Sequence, residues 1–149
     1  MKSILRGKTK EVVIDTVGPV VIIGECINPT RRKKLVATLQ EGNFEYVLKL
    51  ADIQIKAYAD VLDVNVGYPG VDDEKLLPQV VIALEEKFDI PLCLDSPNPK
   101  AIEAALKVTK GKCLINSVKI SFGTSSCCEG IWGGNYRIGN GRQRHNQHA

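Results

Sequence analysis

Polar side chains end each of four short, mostly apolar segments of this chain, which cover residues 20–24, 61–66, 91–95 and 113–118. They are Glu25 and Asn28, Asp63 and Asn65, Asp95 and Ser96, and Asn116 and Ser117. In a parallel α/β sheet the carboxyl ends of the strands open on one side, where ligands bind. Any one of these residues could instead cap a helix or satisfy a loop amide. Four segments that end in the same way predict a shared site.

Asp95 and Asn116 are the pair best suited to a flat heterocycle. A carboxylate at a strand end accepts two parallel N–H bonds from a guanidine-like edge, such as ring nitrogens flanking an exocyclic amine. A carboxamide beside it both donates and accepts, and so matches a neighbouring ring position. Residue types alone do not distinguish a pterin from a purine or a sugar.

The segments between the apolar runs have helical spacing. In 44–59 and 72–88 apolar residues recur at threes and fours, and the second segment opens with acidic residues that suit a helix N-terminus. The segment 98–109 opens on Asn98, a predicted N-cap. Short apolar runs alternating with helices predict right-handed βαβ units and a parallel sheet. We expect residues 5–17 to add a short strand or hairpin before it.

The 149-residue chain has the composition of a globular protein with room for one domain. Its net charge of +3 is carried by residues 119–149, so residues 1–118 balance to zero and offer no basic surface for nucleic acid. No apolar stretch approaches the roughly 20 residues needed to span a bilayer, and the N-terminus lacks a signal-peptide core. We therefore expect a cytoplasmic protein with neither a nucleic-acid nor a membrane partner.

Cysteine usage predicts neither a disulfide framework nor a metal site. Cys93 and Cys113 lie in apolar runs, where a thiol behaves as a small hydrophobe, and the total of five is odd. The adjacent Cys127 and Cys128, taken with the two histidines near the C-terminus, lack the usual spacing of zinc ligands.

Four stretches, in order along the chain, resemble one known family. Residues 24–35 (GECINPTRRKKL) resemble the opening strand and loop of the methyltetrahydrofolate:corrinoid methyltransferases, pterin-binding enzymes related to dihydropteroate synthase. Residues 62–74 (LDVNVGYPGVDDE), 91–99 (PLCLDSPNP) and 114–118 (LINSV) are similar to the second, third and fourth strands of that family with their loops. The likeness extends over about residues 8–118.

The resemblance implies a TIM (β/α)8 barrel, of which this chain supplies about the first half, with methyltetrahydrofolate bound across its carboxyl-terminal face. Family members pass the N5 methyl group to the cob(I)alamin of a partner corrinoid protein in one-carbon metabolism, and the family suggests a homodimer. By position, Asp95 and Asn116 would hold the pterin ring. Residues with secondary roles around the same mouth are Asn28, Asp63, Asn65 and Ser96. The groups that activate N5 lie later in the family's chain, so no catalytic residue is assigned.

Two residues of the first loop depart from the family pattern. Cys26 stands where the family usually has Arg, and Arg31 stands where it usually has Gly. A side chain at a glycine position is expected to occupy a turn that disfavours it. The first loop is therefore where this chain is expected to differ from active family members.

The resemblance divides the chain into a partial pterin-binding barrel over 1–118 and an irregular, disordered tail over 119–149. The tail is rich in Gly, Arg, Asn, Gln and Ser and has neither helical nor strand periodicity. Synonymous codons for 127–133 and 139–145, read one nucleotide later, allow family-like peptides in the right order. We therefore expect a frameshifted tail, which the coding DNA tests. A half barrel exposes a strand edge, so we expect weak stability and little activity alone.

Two alternatives to the methyltransferase remain open at this point. Dihydropteroate synthase, which condenses a pterin diphosphate with p-aminobenzoate, shares the Asp and Asn of the third and fourth strands. The first two loops, residues 28–34 and 65–70, favour the methyltransferase. The second alternative is non-catalytic: a truncated product without independent function, or a module that only binds a pterin.

Overall fold

The computed structural model describes residues 2–116, which form an α/β unit with six strands and four helices. In chain order these are β1 (Lys2–Arg6), β2 (Glu11–Asp15), β3 (Ile23–Ile27), α1 (Lys33–Gln40), α2 (Glu45–Lys56), β4 (Val61–Val64), α3 (Asp73–Lys87), β5 (Leu92–Asp95), α4 (Pro99–Val108) and β6 (Leu114–Asn116). Within these residues no helix is both long enough and apolar enough to cross a membrane.

The strands β3, β4, β5 and β6 form one parallel sheet whose spatial order is their order in the chain. Helices lie in every connection between them, so each pair of neighbouring strands is a βαβ unit. This arrangement confirms the predicted fold class, that of parallel (β/α) units as in the first part of a TIM barrel.

The predicted helices over 44–59, 72–88 and 98–109 are α2, α3 and α4, each slightly shorter than its apolar pattern. Asn98 is the N-cap of α4, as predicted, because its side-chain oxygen accepts a hydrogen bond from the Lys100 amide at 3.0 Å.

The first strand of the parallel sheet was predicted three residues too early. The apolar run 20–24 suggested a strand, but β3 covers Ile23–Ile27. The Ile22 amide instead donates to the Asp60 carboxylate at 2.9 Å. Val20 is 89 % and Ile22 48 % exposed, and the partly buried Val21 packs against the core without belonging to a strand.

Helix α1 was missed by the sequence patterns, which gave three helices where the described chain has four. It is the shortest of the four described helices, with 8 residues, and only Leu35 and Leu39 on it are buried. No side chain caps it, and its first turn carries lysines rather than the acidic residues that are typical of a helix N-terminus. Two buried leucines four residues apart are enough to dock such a helix but too few to make a recognisable period.

The main hydrophobic core lies between the helices and the outer face of the sheet. Side chains alternate along a strand, so Leu62 and Val64 of β4 and Leu92 and Leu94 of β5 point to this face. Residues of all four helices pack against them, and fully buried members include Leu35, Val47, Leu77, Val80 and Ala101.

The antiparallel hairpin of β1 and β2 packs against the opposite, inner face of the sheet. Leu5 and Val12 of the hairpin form a second buried cluster with Val61, the first residue of β4, and Cys93, the second residue of β5. We refer to this hairpin and the strand starts beneath it as the closed end. The prediction of a strand or hairpin within residues 5–17 is confirmed, although the hairpin begins at Lys2, three residues before the predicted range.

Two polar attachments hold the hairpin to the closed end. The backbones of Arg6 and Lys112 exchange hydrogen bonds of 3.0 and 2.8 Å. The Asp89 carboxylate accepts from the amides of Thr9 and Lys10 and from the Thr9 hydroxyl. These hydrogen bonds hold the pKa of Asp89 at about 2, below its ordinary value. The predictions for Ser117 and for an irregular, out-of-frame tail over 119–149 lie outside the described residues.

Candidate functional site

Two carboxylates and two amides meet at the carboxyl ends of β4, β5 and β6, which we call the open end. Asp95 on β5 is the registered partner of Asn116 on β6. The Asn65 amide, one residue beyond β4, donates to the Asp95 carboxylate at 2.8 Å. The Asn116 amide approaches the Asp63 carboxylate at 3.5 Å. Each carboxylate therefore has an amide from a different strand against it.

Asp63 is a buried carboxylate in the layer below this edge. Its side chain is on the inner face, it is 5 % exposed, and its register partner on β5 is Cys93. Burial raises the pKa of Asp63, and the neighbouring charges of Asp95 and Glu25 raise it further, while hydrogen bonds from Cys93 and Asn116 act in the opposite direction. The open end thus concentrates negative charge.

Cys93 separates the two ends on the inner face. Its thiol hydrogen-bonds to Asp63, its register partner on β4, and the cysteine also belongs to the apolar cluster beneath the hairpin. Burial, together with the nearby Asp63 charge, raises the pKa of this thiol. A thiol kept protonated in this way is a hydrogen-bond donor to Asp63 and a poor nucleophile.

Ser96 is occupied in holding the loop after β5. Its hydroxyl, which is buried, donates to Asp73 at 2.8 Å and accepts from the Asn98 amide at 3.1 Å. The Asn98 side chain also donates to Asp73, at 2.8 Å. Asp73 at the start of α3 therefore fixes the loop after β5. The sequence indicated only that an acidic residue at this position suits a helix N-terminus. Pterin binding by Ser96 stays a prediction.

Asn28 shapes the loop after β3. Its side-chain oxygen accepts from the Thr30 amide at 3.0 Å, which makes a tight local turn. Arg31 follows with a φ of 58°, in the left-handed region that favours glycine. This confirms the expectation that a side chain at the family's glycine position occupies a turn that disfavours it.

Cys26 lies where β3 departs from regular pairing with β4. The register shifts between Gly24 and Ile27, and the Cys26 amide donates to Gln54 of α2 at 2.7 Å. Gln54 lies so close that a Cβ on Gly24 would come within 2.6 Å of its side-chain oxygen. The Arg32 guanidinium donates to the Cys26 carbonyl at 2.8 Å, so a guanidinium contacts this position although the family's Arg is absent.

A cavity of about 420 Å³ lies between the loops after β3 and β4. It is lined by Arg31, Arg32 and Lys33, which follow β3, and by Gly67, Tyr68 and Pro69, which follow β4. We call this cavity the loop groove. Asn65 joins it to the open end, because its side chain donates to Asp95 and accepts from the Gly67 amide at 2.7 Å.

The structure thus brings four of the six predicted residues into one cluster, namely Asp63, Asn65, Asp95 and Asn116. The other two, Asn28 and Ser96, make loop contacts. A parallel sheet with paired carboxylates and amides at its carboxyl ends belongs to the class of α/β folds whose ligands bind at that edge.

Residues 24–126 match the family model described as "Pterin binding enzyme". This is more than half of the chain, which therefore belongs to the pterin binding enzyme family. Over 104 residues it is 29 % identical to "Methionine synthase" from Mycobacterium tuberculosis (strain ATCC 25618 / H37Rv). That alignment covers 70 % of this chain and 9 % of the length of the relative.

Proposed function

We propose that this chain binds the pterin ring of methyltetrahydrofolate at the open end, with Asp95 and Asn116 as the ring-holding pair. The observation that carries this proposal is that Asp95 and Asn116 are paired in register on the neighbouring strands β5 and β6. A carboxylate and a carboxamide side by side match the donors and acceptors along one pterin edge. Asn65, bonded to Asp95 at 2.8 Å, orients the carboxylate before the ring arrives.

The proposed reaction is transfer of the N5 methyl group to the cob(I)alamin of a corrinoid protein. The N5–methyl bond breaks as a cobalt–carbon bond forms, and N5 retains the electron pair and takes up a proton. The corrinoid supplies the nucleophile and is carried by the partner, so no residue of this chain has to hold it. Asp95, Asn116 and Asn65 would bind and orient the ring, and Asp63 would line the mouth beneath it.

The similarity to a methionine synthase supports methyl transfer over the condensation that dihydropteroate synthase performs. The loops after β3 and β4, whose sequences resemble the methyltransferases, support the same choice. A cytoplasmic location and a homodimer belong to this proposal, as does the need for later strands of the barrel to complete catalysis. Formation of dihydropteroate from a pterin diphosphate and p-aminobenzoate would overturn it.

The experiment is calorimetric titration of the 149-residue chain with 5-methyltetrahydrofolate. Asp95→Asn keeps the shape of the side chain and removes its charge, and we expect the affinity to fall at least about tenfold because hydrogen bonds to a charged group are lost. The matched control is Asp52→Asn, the same change in a carboxylate that pairs with Lys56 on the exposed side of α2. Undiminished affinity in Asp95→Asn would contradict the assignment.

A second pair of variants tests the orienting role of Asn65. Asn65→Asp keeps the acceptor for the Gly67 amide but places a second carboxylate against Asp95, so the affinity should again fall. Asn43→Asp is the control, because Asn43 likewise accepts from a nearby amide, that of Glu45 at 2.9 Å, at the start of α2. Equal losses in both variants would show that Asn65 acts only on the loop.

A further inference from the structure

We propose that the loop groove binds the anionic aryl-glutamate tail of the folate substrate, and that it favours tails carrying several glutamates. The inference rests on the proposed function, since it assigns a second part of the same substrate. The groove is a separate cavity of about 420 Å³, lined by residues that the resemblance and the pterin pair left without a role.

The charge of the groove points to an anionic ligand. Arg31, Arg32 and Lys33 are consecutive and exposed, and all three line the groove. Among residues 2–116 the ion pairs are Arg6–Glu11, Lys56–Asp52, Lys75–Asp72 and Lys107–Glu103, so no carboxylate of this part of the chain neutralises the three cations. The net charge of residues 1–118 is zero, but the charges are unevenly distributed. Three cations are adjacent at residues 31–33, whereas the open end carries carboxylates.

The position of the groove matches the geometry of a folate. Its lining residues begin one position after Asn28 and two positions after Asn65, and these asparagines directly follow β3 and β4. Asn65 contacts both regions through opposite ends of one amide, with Asp95 on one side and the Gly67 amide on the other. A molecule whose ring lies on Asp95 can therefore extend its substituent into the groove.

The apolar lining matches the ring that connects pterin and glutamate. Tyr68 is half-buried and Pro69 is exposed in the loop after β4, and Val36 and Ala37 contribute apolar surface from α1. An aromatic side chain next to a proline offers a flat surface for a benzoyl ring. Each glutamate added beyond the ring brings one more carboxylate toward the cations at residues 31–33.

The test uses the full 149-residue chain and calorimetry at low salt. The probes are 5-methyltetrahydrofolate with one and with five glutamates, p-aminobenzoyl-pentaglutamate alone, and a tetrahydropterin that lacks the tail. We expect the pentaglutamate form to bind about five to ten times more tightly than the monoglutamate, since each ion pair at an exposed site adds a small increment. Raising the salt concentration should remove most of this advantage.

Arg31→Gly and Lys33→Gln should each reduce the preference for the long tail about two- to threefold. Arg31→Gly is the sharper variant, because the φ of 58° at this residue predicts that glycine makes the fold more stable. A loss of affinity in a stabilised protein is not the result of unfolding. Lys49→Gln, an exposed lysine of α2 outside the groove, is the control for net charge and should keep the preference.

The outcomes separate this inference from the proposed function. Tail-length preference that falls in Arg31→Gly and Lys33→Gln, but not in Lys49→Gln, supports the groove. If p-aminobenzoyl-pentaglutamate binds in this pattern while the tetrahydropterin does not, the groove stands and the pterin assignment fails. If 5-methyltetrahydrofolate binds through Asp95 with equal affinity for short and long tails, or if Lys49→Gln loses as much as Lys33→Gln, the groove assignment is overturned. Absence of binding by every probe overturns both.

Discussion

The two ends of the same parallel sheet differ in what their inner-face side chains do. At the closed end, Val61 and Cys93 lie under Leu5 and Val12 of the hairpin, and the contacts are apolar. Two residues further along each strand, Asp63 and Asp95 replace that apolar pair. Because side chains on one face recur every second residue, one repeat along each strand separates an apolar surface from a polar one. Apolar contacts with the hairpin stabilise the closed end of the sheet, and the open end is polar.

The largest expected effect is at the closed end. Leu5 is 3 % exposed and is more deeply buried than Val12, the other buried hairpin residue of the second cluster. Leu5→Ala should lower the free energy of unfolding by about 2–5 kcal/mol, because it removes buried methyl groups and leaves a cavity. Chemical denaturation measured by circular dichroism checks this value.

The ligand affinity of the folded fraction sharpens the same test. If the two ends are independent, Leu5→Ala should leave the affinity for 5-methyltetrahydrofolate unchanged under conditions where the protein is folded. Asp95→Asn should show the reverse, with affinity lost and stability kept. Coupled losses in both variants would break the comparison, and would indicate that Cys93 transmits disturbance from the hairpin to Asp63.

The sequence predicted the open end better than the closed end, for a physical reason. Buried parallel strands are short apolar runs, and the polar residues that end them, such as Asp95 and Asn116, are visible as breaks in those runs. The partners of Asp89 and Arg6 are about 80 and 106 residues away in the chain, and no local pattern records such contacts. The pairing of hairpin with sheet therefore had to come from the structure.

Inside the open end, sequence predicted which residues gather but not which atoms meet. The pairing of Asp95 with Asn116 in register follows from the strand pattern, yet the amide that contacts Asp95 belongs to Asn65, and Asn116 turns toward Asp63. Ser96 looked equivalent to its neighbours, but its hydroxyl bonds to Asp73. Rotamers and loop conformations decide these choices, and periodicity carries no information about them.

Asp63 gives the open end its expected dependence on pH. The pKa of this buried carboxyl is raised above its ordinary value, so the folded state binds more protons than the unfolded state as the pH rises above about 4. The free energy of unfolding should therefore fall as the pH rises through that window. Asp63→Asn removes the titrating group and should be more stable than the parent at pH 7, with the difference shrinking toward pH 4.

Thermal unfolding of both proteins from pH 4 to pH 8 measures this effect. Asp52→Asn, at an exposed carboxylate of α2, should follow the parent over the whole range. A parent that is more stable than Asp63→Asn at pH 7 would mean that the bonds from Cys93 and Asn116 outweigh the burial of the charge.

Asp89 gives the closed end the opposite dependence on pH. Its pKa is lowered to about 2 by the hydrogen bonds from Thr9 and Lys10, so the unfolded state binds more protons between about pH 4 and pH 2. The stabilisation is present above the ordinary pKa and is lost as the pH falls through this window. Asp89→Asn should unfold with a flatter acid profile than the parent, measured by circular dichroism between pH 5 and pH 2. An unchanged acid limb would show that this carboxylate does not hold the hairpin.

The smallest expected effect concerns two strained residues, one near each end. Within residues 2–116, positive φ angles outside glycine occur at Arg31, 58°, beside the open end, and at Tyr58, 67°, just before β4 at the closed end. Tyr58 occupies the position after the C-cap of α2, where the Ala59 amide bonds to the Gln54 carbonyl at 2.9 Å. Gly42 has the same φ of 67° in the corresponding motif after α1, where the Asn43 amide bonds to the Thr38 carbonyl.

Tyr58→Gly should therefore raise the free energy of unfolding by about 0.4–1 kcal/mol, because glycine adopts this conformation without the penalty that a Cβ incurs. Tyr58 is 83 % exposed, so little packing is lost with its ring. Gly42→Ala is the reciprocal change and should be destabilising, with nothing within 4 Å of the added methyl to complicate the comparison. Tyr58→Gly should leave the preference for long glutamate tails intact, whereas Arg31→Gly should reduce it. Of these two residues with positive φ, it is Arg31 that also lines the loop groove. Equal effects of the two glycine variants on binding would mean that backbone relief alone alters the site.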